Sequence, residues 1–112
     1  MNKPPMGIIE LDTPYAQEIG FTSDKFHGYL WGNSNSITIS LITSRHEGQG
    51  NLLKLFDSIL DRSLQIIVPT PFKRMINICE RYGFHRIKIE TEDGIVYAMR
   101  KVPNEDKVQG KP

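Results

Sequence analysis

The sequence predicts an α/β (α+β) fold: a mixed, mainly antiparallel sheet with a central parallel strand–helix–strand unit and helices on its faces. Three observations lead to this prediction. Two pairs of β-prone runs flank short turn sequences, as in hairpins. A stretch with helical periodicity begins at Asn51. An apolar run of strand length, Leu64 to Val68, follows that stretch, and two strands joined through one helix are expected to be parallel.

The first part of the chain is expected to form a strand, a short helix and a hairpin. The segment "MGIIELD", Met6 to Asp12, reads as a short strand. Asp12-Thr13-Pro14 then opens a turn or a short helix through "YAQEIG". The β-prone runs His27 to Trp31 and Ser36 to Thr43 are separated by Gly-Asn-Ser-Asn. That turn chemistry predicts the first hairpin.

A helix, a strand and a second helix are expected to follow. Apolar residues recur from Asn51 at helical spacing, at Leu52, Leu55, Phe56, Ile59 and Leu60. The nearly continuous apolar run Leu64 to Val68 predicts a strand covered on both faces. The second helix is expected to have Thr70 as its N-cap, Pro71 in its first turn and Gly83 as its C′ residue. Its expected buried face is Phe72, Met75, Ile76 and Cys79.

The end of the chain is expected to form a second hairpin, "HRIKIETEDGIVYAMRKV", turning at Glu92-Asp93-Gly94. With 112 residues the chain is long enough for one domain. We expect that domain to span residues 1–102. The polar, Pro/Gly-punctuated tail, residues 103–112, is expected to be disordered.

Composition narrows the classes of partner. The formal net charge is +1, which gives no overall electrostatic reason to expect nucleic acid or a membrane surface as a partner. A single cysteine excludes an internal disulfide and favours a reducing, cytoplasmic setting. No apolar run approaches the length of a membrane span. The three histidines lack the spacing of metal ligands, so no metal site is expected.

The stretch "RHEGQG", Arg45 to Gly50, joins the predicted strand to the predicted helix. Gly48 and Gly50 can form a tight turn, or they can let the backbone approach a bulky anion at the helix N-terminus. Arg45 and His46 add positive or donor character at the entrance. The loop is not a P-loop, because no Lys-Ser/Thr follows it, and Leu53 stands where a dinucleotide fingerprint has its third glycine. Taken alone, the glycine pair favours the tight turn.

The form R-x-x-G-x-G between a strand and a helix resembles the acetyl-CoA pyrophosphate loop of the GNAT superfamily of N-acetyltransferases. The segment "IIVPTPFKRMINICERYGF", Ile66 to Phe84, looks like that family's next strand and helix, which commonly end in a Gly-Phe pair. The closing "GIVYAMRK" resembles the family's last strand. These matches lie between Ser36 and Lys101. In this context the glycine pair favours a cradle for the CoA pyrophosphate.

The resemblance implies a binding site and a reaction. Backbone amides of the loop would hold the pyrophosphate, and the end of the strand Ser36–Thr43 would pair with the pantetheine arm. The implied acetyl-CoA-binding residues are Thr43, Arg45, His46, Glu47, Gly48, Gln49, Gly50 and Asn51. The implied reaction is direct transfer of the acetyl group from acetyl-CoA to an amine of an unidentified acceptor, which is a small molecule or a protein.

The residues expected to carry the chemistry match the family less well. Cys79 stands where the family usually has a tyrosine as general acid, and it is either a proton donor or a buried core residue. No carboxylate lies within "SITISLITS", where many family members have a base. Residues 12–26 are too few for the two helices that usually shape the acceptor cleft, so that cleft is reduced, missing or rebuilt by a partner in a homodimer.

Two functions remain open. One is an acetyl-CoA-dependent N-acetyltransferase. The other is a catalytically inactive GNAT-like protein that acts as a CoA-binding or protein-interaction module.

Overall fold

A six-stranded mixed sheet and three helices make up the part of the chain that the computed structural model describes, residues 3–69 and 73–103. The strands are β1 (Gly7–Glu10), β2 (Phe26–Gly32), β3 (Ser36–Ser44), β4 (Gln65–Pro69), β5 (His85–Thr91) and β6 (Gly94–Lys101). The helices are α1 (Pro14–Ile19), α2 (Asn51–Asp61) and α3 (Lys73–Arg81). The predicted α+β class and both predicted hairpins are confirmed, with strand order β1-β2-β3-β4-β6-β5.

The centre of the sheet is the predicted parallel pair. β3 and β4 run parallel with α2 between them in sequence, and the other neighbouring strands of the described sheet are antiparallel. Ser36 pairs with Gln65, and Thr38 pairs with Ile67. β3 then continues to Ser44 beyond the last of these pairs, so its second half borders β2 on one side only.

A β-bulge lies in the middle of β3. While β2 advances two residues, from Tyr29 to Trp31, β3 advances three, between Thr38 and Leu41. The extra residue shifts the alternation of side chains by one position. Ile39 is therefore buried, whereas Leu41, two residues later, is 55% exposed. Ile42 packs against the core in its place.

All three helices contribute to one core on one side of the sheet, which we call the inner face. The strands contribute Ile9, Phe26, Leu30, Ile37, Ile39, Ile66, Val68 and Met99 to this core, and the helices contribute Tyr15, Ala16, Ile19, Leu55, Phe56, Ile59 and Cys79. We call the opposite side the outer face. It carries an exposed patch of large apolar side chains, Ile8, Tyr29, Trp31 and Leu41. Ile8 lies opposite Trp31, and Tyr29 lies opposite Leu41.

The expectation that Leu64–Val68 is covered on both faces is confirmed for the inner face and met only in part on the outer face. The strand is Gln65–Pro69, and its inward residues Ile66 and Val68 are buried. Ile67, which points outward, is only half-buried. A continuous apolar run in the sequence does not distinguish a strand face covered by a helix from one partly covered by neighbouring side chains. The outer face of this strand is of the second kind.

The beginning of α1 and the end of α3 are capped as their sequences indicate. In α1, the Thr13 hydroxyl accepts a hydrogen bond from the Ala16 N–H, which makes Thr13 the N-cap. At the end of α3, Gly83 has φ +89°, and the Phe84 N–H donates to the Cys79 carbonyl at 2.9 Å. This is a Schellman motif, and it confirms the predicted C′ glycine.

The predicted buried face of α3 needs one correction. Met75, Ile78, Cys79 and Tyr82 pack on the core, at spacing i, i+3, i+4 and i+7, so Ile78 takes the place predicted for Ile76. The predicted roles of Thr70, Pro71 and Phe72 lie outside the described residues, as does nearly all of the predicted disordered tail. Within the described ranges, no helix has both the length and the apolar character needed to cross a membrane.

Candidate functional site

A cavity of about 670 Å³ lies between the end of β3, the glycine loop, the start of α2 and one side of α3. Volumes of about 300–1,000 Å³ are usual for small-molecule sites. The lining residues are Ile42, Thr43, Ser44, His46, Glu47, Gly48, Gly50, Asn51, Leu52, Leu53, Arg74, Met75, Ile78, Arg81 and Tyr82. Aliphatic side chains thus form part of the wall, and polar groups of the loop and of α3 form the rest.

The glycine loop has a backbone that requires its two glycines. Gly48 has φ +86° and Gly50 has φ +79°, both in the left-handed region that side chains with a Cβ rarely adopt. A Cβ at either position would meet no atom within 4 Å. The two left-handed glycines make the loop a tight turn. The space beside their backbones, where a Cβ would otherwise lie, is open. The two interpretations of the glycine pair are compatible.

The first turn of α2 opens on the same cavity. Gly50 is the N-cap and supplies no side-chain hydrogen bond, and no acidic residue occupies the first turn. Asn51, Leu52 and Leu53, the first residues of the helix, all line the cavity. Backbone N–H groups in a first turn lack intrahelical partners, and the helix dipole adds a partial positive charge there. This end of the cavity therefore favours an anion.

Charged side chains from α3 face the loop across the cavity. The Arg74 guanidinium donates to a Glu47 carboxylate oxygen at 2.7 Å, and both side chains are more than half exposed. Arg81 lines the cavity two helical turns further along α3. Among the described residues of the wall, two guanidinium groups outnumber one carboxylate, so their charged side chains carry a net positive charge.

The structure brings most of the predicted cofactor-binding residues together. Six of them line the cavity: Thr43, His46, Glu47, Gly48, Gly50 and Asn51. Arg45 and Gln49 do not. The Arg45 guanidinium contacts His27 Nδ1 at 3.2 Å, and the Arg45 N–H donates to the Lys25 carbonyl at 2.7 Å. Arg45 is thus held against the start of β2, because the β2–β3 pairing extends to Ser44.

Cys79 lies in the core and does not line the cavity. Its side chain is fully buried. Burial, reinforced by the nearby negative charge of Glu80, raises the pKa of the thiol from 9.0 to about 12. Such a thiol keeps its proton at neutral pH and has no contact with solvent. This placement favours the core-packing alternative over that of a proton donor.

Sequence reasoning missed the contribution of α3 to the cavity. Arg74, Ile78, Arg81 and Tyr82 lie at i, i+4, i+7 and i+8 and share one side of the helix, which helical periodicity alone could have indicated. The sequence gives no signal that this side meets a loop that precedes it by more than twenty residues. Tyr82 closes one end of the wall: its ring lies 5.6 Å from that of Phe56, and its hydroxyl donates to the Asp57 carboxylate.

No protein-family model matches the chain, and neither a curated protein nor a solved structure matches it.

Proposed function

We propose that the cavity binds acetyl-CoA and that the protein is a small GNAT-like N-acetyltransferase. One observation carries the proposal. The R-x-x-G-x-G loop, Arg45–Gly50, turns through two left-handed glycines and delivers the uncapped first turn of α2 to a cavity of ligand size. This arrangement suits a phosphate group close to the backbone. The proposal retains the reducing, cytoplasmic setting expected from the single cysteine.

The charges of the wall support a pyrophosphate as the anion. Backbone N–H groups of the loop and of Asn51 can donate to phosphate oxygens, and the Arg74 and Arg81 guanidinium groups stand on the opposite wall. The Glu47 carboxylate pairs with Arg74. A phosphate group can take over that guanidinium, because bidentate hydrogen bonding to an oxyanion is the interaction that arginine favours.

The free side of β3 supports the rest of the ligand. Beyond Thr38, no strand of the described sheet pairs with β3 on the β4 side. Backbone groups from Ile39 to Ser44 on that side therefore lack a strand partner. Pantetheine has two amide groups in an extended arm, and it can hydrogen-bond to such a strand. Ile42 and Thr43 line the cavity at this point.

The proposed reaction is attack of an acceptor amine on the thioester carbonyl. The C–N bond of the amide forms, the C–S bond breaks, the amine loses a proton to a base, and the leaving thiolate of CoA takes up a proton. The placement of Cys79 leaves this last proton to solvent or to the acceptor. The burial of Cys79, the expected acid, in the core also favours a second candidate function. This is a CoA-binding or protein-interaction module without catalysis.

Titration with acetyl-CoA tests the binding proposal. We expect heat of binding by calorimetry, and stabilisation of about 2.7 kcal/mol at a ligand concentration of 100 times the Kd. Arg74→Glu should weaken binding about tenfold or more, since it places a carboxylate beside Glu47 and the anion. Arg100→Glu is the matched control, because Arg100 is exposed on β6 and does not line the cavity. Absence of heat and of any stabilisation at millimolar acetyl-CoA would exclude the proposal.

Catalysis is tested separately. The protein is incubated with acetyl-CoA and a panel of amines that includes a polyamine, a lysine peptide and a peptide with a free N-terminus. Mass spectrometry then detects acetylated product. Product that is lost in Arg74→Glu and retained in Arg100→Glu supports the acetyltransferase. Tight binding without product from any amine supports the module.

A further inference from the structure

β5 forms one edge of the described sheet and exposes most of its side chains. Thr91 and Gly94 close the two-residue turn to β6, and their pairing fixes which backbone groups face β6. Because an antiparallel ladder alternates, the N–H and C=O groups of Arg86, Lys88 and Glu90 point away from β6. These groups form a row along the edge, which is a template for another strand.

The side chains along this edge are arranged in a pattern. Lys88 and Glu90 point to the inner face, where their cross-strand neighbours on β6 are Tyr97 and Ile95. Neither charge has an ion-pair partner among the described residues. Ile87 and Ile89 point to the outer face and are half-buried. The edge thus presents two adjacent opposite charges on one face and two apolar side chains on the other.

We propose that two copies of this chain pair through β5 in antiparallel orientation, with Ile89 on the two-fold axis. In this register Lys88 of each copy lies opposite Glu90 of the other, so that two ion pairs form. Ile89 lies opposite Ile89, and Ile87 lies opposite Thr91. An isologous contact of this kind uses the same surface on both copies.

The alternative registers are less favourable. Shifting by a single residue would set outward-pointing backbone groups against groups that already face β6, and it would mix the two faces of the sheet. Among the registers that preserve the faces, one sets Lys88 opposite Lys88. A second sets Arg86 opposite Lys88, and a third sets Glu90 opposite Glu90. Like charges directly opposite each other destabilise a strand pair. The first and third of these registers also contain opposite-charge pairs, Arg86 with Glu90 and Lys88 with Glu92 respectively. The register centred on Ile89 sets no like charges opposite each other, so charge complementarity selects it.

The charges also favour a second copy over an unrelated strand. A self-complementary edge needs a positive and a negative residue placed symmetrically about an axis, and Lys88 and Glu90 are so placed about Ile89. In the dimer the two sheets join into one continuous sheet, and none of the described residues that line the cavity of either copy belongs to β5. The dimer therefore does not depend on ligand binding.

Charge reversal tests the proposal. Sedimentation equilibrium should give a dimer for the unaltered protein at micromolar concentration. Lys88→Glu and Glu90→Lys should each raise the dimer Kd about tenfold or more, because each replaces two attractive pairs by two repulsive ones. The double variant should restore the Kd of the unaltered protein. Lys54→Glu, an exposed lysine of α2, is the matched control and should leave the Kd unchanged.

A mixing experiment gives the sharpest outcome. An equimolar mixture of Lys88→Glu and Glu90→Lys should associate more tightly than either variant alone, because in the mixed dimer both pairs again have opposite charges. Circular dichroism of each variant checks that it is folded. The proposal would be overturned if the protein were still a monomer after its concentration had been raised a hundredfold above micromolar. It would also be overturned by a dimer whose Kd does not change in Lys88→Glu, or by a dimer that is lost in Trp31→Glu but kept in Lys88→Glu.

Discussion

Gly28 lies in the middle of β2, where both its own backbone conformation and the adjacent backbone of β3 disfavour a side chain. Its φ is +114°, and a Cβ there would collide with the backbone carbonyl of Leu41 on β3. Gly28→Ala should therefore lower the free energy of unfolding by about 3 kcal/mol, from strain and overpacking together.

Gly20→Ala is the control that separates strain from collision. Gly20 has a similar left-handed φ of +87°, but a Cβ there meets no atom within 4 Å. This variant should cost about 1–2 kcal/mol, the backbone strain alone. Equilibrium denaturation in urea measures both. An effect of Gly28→Ala no larger than that of Gly20→Ala would show that β2 and β3 do not approach closely here.

The buried thiol of Cys79 makes stability fall at alkaline pH. Burial raises the pKa of this thiol from its ordinary value of 9.0 to about 12 in the folded state. The stabilising contribution is complete below pH 9 and is lost as pH rises toward 12, because the unfolded chain releases the proton first. The stability advantage of the unaltered protein over Cys79→Ala should therefore shrink above pH 9, by at most about 1.4 kcal/mol per pH unit, and it should reverse before pH 10.5.

Denaturation of both proteins between pH 7 and 10.5 measures this change. The other ionisable groups are common to both proteins and cancel in the difference. At pH 7 the variant should be less stable by about 1 kcal/mol, the cost of removing a small buried group. A difference that stays constant from pH 7 to 10.5 would mean that the thiol is not buried.

Because of the β-bulge in β3, the aliphatic residues Ile39 and Leu41 should contribute differently to stability. In a regular strand Ile39 and Leu41 would share a face, but the bulge places Ile39 in the core and leaves Leu41 on the outer face. Ile39→Ala should cost about 2–4 kcal/mol, as expected for a buried aliphatic side chain. Leu41→Ala should cost less than about 1 kcal/mol. Equal costs in urea denaturation would place the two residues on one face and remove the bulge.

Arg62 joins the ends of α1 and α2. Its guanidinium donates to the Ser58 carbonyl at 3.0 Å and to the Glu18 carbonyl at 3.1 Å. Arg62→Ala should lower the free energy of unfolding by about 1–2 kcal/mol, since two hydrogen bonds from a charged donor are lost. Arg62→Lys should lie between, because an ammonium group cannot reach both carbonyls with a planar fork. Lys54→Ala, on the exposed side of α2, should change stability by less than about 0.5 kcal/mol.

The elements that sequence could predict are those set by local chemistry. The stripe from Leu52 to Leu60, the C′ glycine Gly83 and the turn at Glu92-Asp93-Gly94 are all confirmed, because each depends on residues within a few positions. The bulge in β3 and the exposure of Leu41 were not predictable, since they depend on pairing with β2. The cavity shows the same division: the loop residues were found from sequence, while Arg74 and Arg81 reach it through the packing of α3.

At the scale of the whole molecule, the sheet separates three surfaces. The inner face carries the core and the cavity, the outer face carries the apolar patch around Trp31, and the β5 edge lies at the far end of the strand order. β2 and β5 are four strand spacings apart, which corresponds to about 19 Å. Binding in the cavity and pairing through β5 should therefore both leave the outer patch in contact with solvent.

Trp31 reports on this separation, because it is the only tryptophan and is 44% exposed. We expect its fluorescence to be quenched by iodide in the folded protein, with an emission maximum typical of a solvated indole. Neither saturating acetyl-CoA nor a hundredfold change of protein concentration should alter the emission maximum or the quenching constant. Lys88→Glu provides the control, since its loss of association should also leave both unchanged. A blue shift with loss of quenching at high protein concentration would show instead that copies associate through the outer face, because a tryptophan removed from water at an interface loses contact with the quencher.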